Sequence, residues 1–103
     1  MTALDTGTDA FLLDVREPDE WAAGHIPGAV HLPMMEVPAR IAEVPVDGDV
    51  VVVCRSGVRS AQVVAYLRGH GWDNVRNLDG GMQAWAFLGR DVVSEDGQPA
   101  RVL

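Results

Sequence analysis

The sequence contains no lysine; all eight basic residues are arginine. That removes Schiff-base chemistry through a lysine amine. Cysteine is almost as scarce, with Cys54 standing alone, so an internal disulfide is impossible and nothing suggests a secreted, cross-linked scaffold. No apolar run approaches the ~20 residues that a membrane-spanning helix needs. Met1–Asp5 lacks the basic region and long apolar stretch of a signal peptide, and the cytoplasm is the expected location. Positive charge is in short supply too: eight arginines face 15 acidic residues, giving a net charge of −7 and a pI near 4.6. Neither nucleic acid, whose phosphates need a basic footprint, nor an anionic membrane surface is an expected partner. Three histidines, His25, His31 and His70, and one cysteine match no common zinc spacing. No metal or organic cofactor is expected.

What is present is a core. Of the 103 residues, 48% are hydrophobic, enough for a single globular domain over 1–103 with one modest core. The chain is organised around Val50-Val51-Val52-Val53-Cys54-Arg55-Ser56-Gly57-Val58-Arg59-Ser60. Four β-branched residues run into the cysteine, a short loop follows, and an apolar helical pattern begins at Ala61. A continuous apolar run bounded by turn signals fits a strand covered on both faces. A loop that opens a helix points several amide N–H groups at one spot, which binds anions and favours thiolate over thiol. Arg55 and Arg59 add positive charge that does not titrate. A lone cysteine is most often a small buried hydrophobe. Here its place at a strand's carboxyl end, with Gly57 able to curl the loop, favours a reactive thiol that is open to solvent.

Two chemistries use such a cysteine: phosphatases and sulfurtransferases. Phosphatases of this kind follow a His-Cys-x5-Arg pattern. In this chain Val53 precedes the cysteine, Arg59 lies five positions after it, and Ser60 stands where the arginine would be. The shorter ring suits a sulfur atom carried on cysteine better than a tetrahedral phosphate.

Elsewhere, Ala10–Val15 is an expected strand interrupted by Asp14, which serves as a turn or cap residue or accepts hydrogen bonds that orient the neighbouring site. Arg16 could pair with Glu17 or Glu20 at the surface. Pro18–Gly24 reads as a short helix with Trp21 as packing, and Ala29–Leu32 as a short strand. A helix is expected around 36–43, with Met34 and Met35 filling core space or forming a soft partner surface. Asp47–Asp49 is a turn. A helix spans about 58–68, a strand 74–78, and a second helix 79–88, capped by Asp79 and facing the core with Met82, Trp85 and Leu88. Asp96-Gly97 could turn a hairpin between Val92-Val93 and Arg101–Leu103. Residues 1–9 read as a loose lead-in, and the histidines as structural hydrogen-bonding residues. Strands that alternate with helices indicate an α/β fold with a mainly parallel sheet.

Three segments carry a resemblance to a known family: Leu13–Pro33, with Asp14-Val15-Arg16 and Gly24-His25-Ile26-Pro27-Gly28-Ala29; Cys54–Ser60; and Asn77–Trp85. In this order they resemble the rhodanese-like family of thiosulfate sulfurtransferases. The resemblance implies a three-layer fold, a central mainly parallel sheet of four to five strands with helices on both faces. It implies Cys54 as the catalytic nucleophile, which forms a persulfide. Residues Arg55, Ser56, Gly57, Val58, Arg59 and Ser60 would bind the substrate, with Asp14 and Arg16 in support. Its implied partners are a small anionic sulfur donor such as thiosulfate and a thiol, protein or cyanide acceptor. A persulfide carrier, a binding scaffold and a cysteine-dependent phosphatase or arsenate reductase stay open as alternatives. Family members usually begin with an extra strand and helix; only about ten residues precede the expected first strand here, so the C-terminal hairpin is a candidate replacement at the sheet edge.

Overall fold

The structure, a computed structural model, describes residues 10–103; the expected lead-in over 1–9 lies outside the described residues. Four parallel strands form one sheet in the order β2-β1-β3-β4. They are β1 (Phe11–Asp14), β2 (Val30–His31), β3 (Val50–Val53) and β4 (Val75–Asn77). Helix α1 (Pro18–Ala23) connects β1 to β2, α2 (Val58–Gly69) connects β3 to β4, and α3 (Gly81–Phe87) follows β4. β3 sits in the middle because its four valines are all fully buried, and a strand covered on both faces has no use for polar alternation. Successive side chains of a strand point to opposite faces. Val50, Val52 and Cys54 accordingly join one core with Val63, Val64 and Leu67 of α2. Val51 and Val53 join another with Met82 and Trp85 of α3. Helices therefore cover both faces of an α/β sheet, as expected.

Two expected elements differ. The region 36–43 holds two short 3₁₀ turns, Met34–Glu36 and Ile41–Glu43, in place of one helix; Pro33 and Pro38 interrupt α-helical pairing there. Met34 packs against the core, but Met35 is 81% exposed and fills no core space. The tail forms no hairpin and adds no strand to the sheet. It lies across the end of α1, where Val93 bridges His25, Glu95 N–H donates to Ala22 O and Arg101 N–H donates to Ala23 O. The carbonyls at the end of a helix lack intrahelical partners, and the tail supplies them. α3 starts on Gly80 without a side-chain cap: Asp79 accepts instead from Asn77. Leu88 is 45% exposed and lies outside the core.

A buried ion pair ties β1 to α1. Arg16 is not at the surface with Glu17 or Glu20; it is completely buried. Asp14 Oδ1 accepts from Arg16 N–H at 3.1 Å and Nε–H at 3.0 Å, and Oδ2 accepts from Nη2 at 2.8 Å. Nη2 also donates to Gly24 O at 2.7 Å. His31 donates from Nε2 to Arg16 O, so β2 is held as well. Trp21 stacks between His25 and His31, with ring centroids 3.6 and 4.8 Å apart. Removing one partner of a buried pair strands a charge and costs about 3–5 kcal/mol. Asp14→Asn is therefore expected to lower the urea midpoint sharply, with a loss of about 3 kcal/mol by linear extrapolation. An unchanged midpoint would show the pair to be dispensable.

Candidate active site

Cys54 follows the last residue of β3, and the segment to Ser60 curls back over it into α2. The main chain of α3 fixes this curl. Met82 N–H donates to Cys54 O at 2.8 Å and Gln83 N–H to Arg55 O at 3.0 Å. A planar peptide points its N–H opposite its carbonyl, so the Arg55 carbonyl that faces α3 turns the Ser56 N–H away from it, and that amide is among those that favour the thiolate. Gly57 N–H then donates to Cys54 Sγ at 3.0 Å, and Ser60 Oγ donates to Sγ at 3.2 Å. Glycine is required twice. Gly57 holds a left-handed φ of 103°. Gly81, also at positive φ, lies so close to the loop that a Cβ there would overlap the carbonyl oxygens of Cys54 and Arg55. Asn77 buttresses the far side: its amide donates to Gly57 O at 3.1 Å, and its carbonyl oxygen shares the single Ser60 hydroxyl proton with Sγ.

Burial on its own pushes the Cys54 thiol up. The Ser60 hydroxyl and the amides of Ser60, Gly57 and Ser56 outweigh it, and the thiol ends below its ordinary value. Hydrogen bonds that favour the charged form act in this direction. Openness to solvent, expected from the sequence, is not found: Cys54 has no exposed surface. The loop folds over the sulfur as it aims its amides at it.

The other expected site residues divide into groups. Ser60 and Gly57 are buried against the sulfur, while Arg55, Ser56 and Val58 are exposed on the loop's outer surface. Arg55 Nε donates to the main-chain oxygen of Leu103 at 2.7 Å. Arg59 forms a two-pronged pair with Glu20, at 2.7 and 2.8 Å. Asp14 and Arg16 lie one strand away, where Asp14 is in register with Val53, and their polar contacts support β1 and the start of β2, with none to the sulfur. Sequence reading misses three contributors: Glu20, Asn77 and the α3 amides. Glu20 and Arg59 are 39 positions apart, and no local pattern joins them. Among the described residues no cluster of three His, Cys, Asp or Glu side chains is placed to hold a metal, and no helix is long and apolar enough to cross a membrane.

Three outcomes are expected. The ultraviolet thiolate absorbance of the single cysteine, taken as the difference from Cys54→Ser, should titrate below that of an unperturbed thiol. Ser60→Ala removes the strongest of the donors that favour the thiolate and should move that midpoint upward; a midpoint that stays put would remove Ser60 from the thiolate's support. Gly81→Ala forces the loop off α3, and the midpoint should rise toward the ordinary thiol value.

With this geometry the chain can be compared with known proteins. Residues 2–87 match the rhodanese-like domain. A sulfurtransferase of Allochromatium vinosum is 49% identical over 89 residues, covering 86% of this chain and 83% of that protein. The thiosulfate sulfurtransferase GlpE of Pseudomonas entomophila is 42% identical over 76 residues, 74% of this chain and 70% of its own. A rhodanese-related protein from Thermoplasma volcanium superposes with a TM-score of 0.85 at 32% identity, covering 90% of this chain and 95% of that one. These likenesses support sulfur transfer as the general chemistry, and the α/β architecture matches that of the solved relatives. The chain belongs to the rhodanese-like domain family.

Proposed function

We propose that this protein moves sulfane sulfur from a small anionic donor, such as thiosulfate, to a thiophilic acceptor through a persulfide on Cys54. The observation that carries the reading is the convergence of the Gly57 amide and the Ser60 hydroxyl on Sγ, with the thiol held below its usual range. The Cys54 thiolate attacks the outer sulfur of thiosulfate. A new S–S bond forms, the bond from that sulfur to the sulfonate breaks, and its electron pair leaves with sulfite. A thiolate or cyanide then attacks the terminal sulfur and returns Cys54 as thiolate. This is covalent, two-step catalysis. The loop from Arg55 to Ser60, with Ser56, Gly57 and Val58 between, supplies the amides that cradle the added sulfur. Arg59 and Arg55 supply positive charge for the donor; Asp14 and Arg16 support the strand ends beneath. The reaction so written needs no metal or organic cofactor.

The same thiolate serves one second reading, a persulfide carrier that loads sulfur and passes it to another protein with little turnover on small molecules. Steady-state thiocyanate production with cyanide separates the two: a carrier gains one sulfur in intact mass yet turns over poorly. Phosphatase chemistry is disfavoured by the loop, whose last arginine, Arg59, lies five positions after Cys54 with Ser60 at the sixth; aryl phosphate hydrolysis that depends on Cys54 would revive it.

Cys54→Ser is expected to abolish both sulfur loading by intact mass and thiocyanate formation; retained activity would refute the assignment. Arg59→Ala should raise the thiosulfate KM by roughly five- to tenfold with a smaller change in kcat, the mark of lost substrate binding. An unchanged KM would remove Arg59 from donor binding.

A further inference from the structure

A sulfonate is best gripped by the planar fork of an arginine, two N–H groups to two oxygens. The Nη1–Nη2 edge of the Arg59 fork is already engaged. Arg59 Nη1 and Nη2 donate to Glu20 Oε1 and Oε2 at 2.7 and 2.8 Å, and the carboxylate is 13% exposed against 32% for the guanidinium. Glu20 is not an opportunistic surface partner. Its Oε1 also takes the Glu17 N–H at 3.0 Å in the capping box that starts α1. The next residue, Trp21, is stacked on His25 and His31. The hydrogen bonds from Arg59 hold the Glu20 carboxyl below the usual carboxylate range, so it is charged at neutral pH. Arg59 also feels the charges of Cys54 and Glu17.

We infer that Glu20 is a specificity-determining residue of the donor site: its carboxylate competes with the donor's anionic end for Arg59 and weakens uptake of doubly charged donors. The inference rests on the sulfurtransferase reading and deepens it. Arg59 must therefore answer both the Glu20 carboxylate and an incoming dianion, with Arg55 as the loop's other positive charge. A donor carrying two negative charges meets twice the repulsion from Glu20 that a monoanion meets, because Coulomb energy scales with the product of charges. Glu20 thereby disfavours a dianionic donor such as thiosulfate more than it disfavours a monoanionic one.

Glu20→Gln is the direct test. Glutamine has the same shape and serves a capping box as glutamate does, so α1 keeps its start. The expected result is a thiosulfate KM lowered about threefold to tenfold at low ionic strength, with kcat changing less, and a gain that shrinks as salt screens the charges. Glu20→Asp keeps the charge and should not lower KM. Arg59→Ala exposes an uncompensated Glu20, so adding Glu20→Gln to it should recover a large part of the lost KM, a coupling read from the double-mutant cycle. A binding measurement separates this inference from the reading beneath it. In the Cys54→Ser background, calorimetric titration with thiosulfate and with thiocyanate needs no turnover. Glu20→Gln should tighten the dianion more than the monoanion. If that holds while no variant loads sulfur, the sulfurtransferase reading falls and the role of Glu20 stands. If Glu20→Gln leaves thiosulfate binding and KM unchanged or weakened, if Glu20→Asp tightens them equally, or if thiosulfate binds neither form, the inference is overturned.

Discussion

Two hydrogen bonds decide the character of this site, and neither involves a side chain. The amides of Met82 and Gln83 take the carbonyls of Cys54 and Arg55. A helix start always has N–H groups without intrahelical partners, and here those groups are satisfied by the active loop itself. Anchoring those two carbonyls on α3 fixes the start of the curl that brings the Gly57 amide to the sulfur. The arrangement needs α3 to approach within main-chain contact distance, which is why Gly81 stands in its first turn in place of a residue with a side chain. The nucleophile's electrostatics are thus a consequence of how two backbones meet.

The rest of the fold keeps that meeting in register. β3 is buried on both faces and brings Cys54 to the sheet's carboxyl end, where open α/β sheets concentrate their chemistry. Asp14 and Arg16 act elsewhere, locking the β1–α1 turn by satisfying Gly24 O as well as each other. α1 is then held against β2 by the stacked rings of Trp21, His25 and His31. Through this chain of contacts a strand far from the cysteine in sequence governs where Glu20 stands relative to Arg59.

Much of this is legible in the sequence, and the division follows the range of the interactions. The valine run, the cysteine, Gly57 and the helix after it are contiguous, so local rules recover strand, loop and helix within a residue or so. α1 is equally clear because proline, acids and glycine mark its ends. The 3₁₀ turns between Pro33 and Val44 pass for one helix because hydrophobic spacing alone does not register how often proline interrupts pairing. Asp79 carries a capping signal that Gly80 pre-empts by starting the helix one residue later. The tail has the Asp-Gly pair of a hairpin, yet its donors find better acceptors at the end of α1. Surface partners are the natural expectation for Arg16 because a buried arginine is rare; only the fold reveals that Asp14, two residues away, compensates it. The covering of Cys54 and the Glu20–Arg59 pair depend on contacts across the whole chain, which no local pattern encodes.

The strands at the two sides of the sheet are very short, two residues in β2 and three in β4. An unpaired strand margin is a template on which a second chain can add by main-chain pairing. Here, over the described residues, each margin offers too few free amides and carbonyls to nucleate such growth. The valine-rich β3, which would be the most hazardous segment if uncovered, is enclosed between β1 and β4. A strongly apolar centre between short flanking strands keeps the rigid backbone that the loop requires.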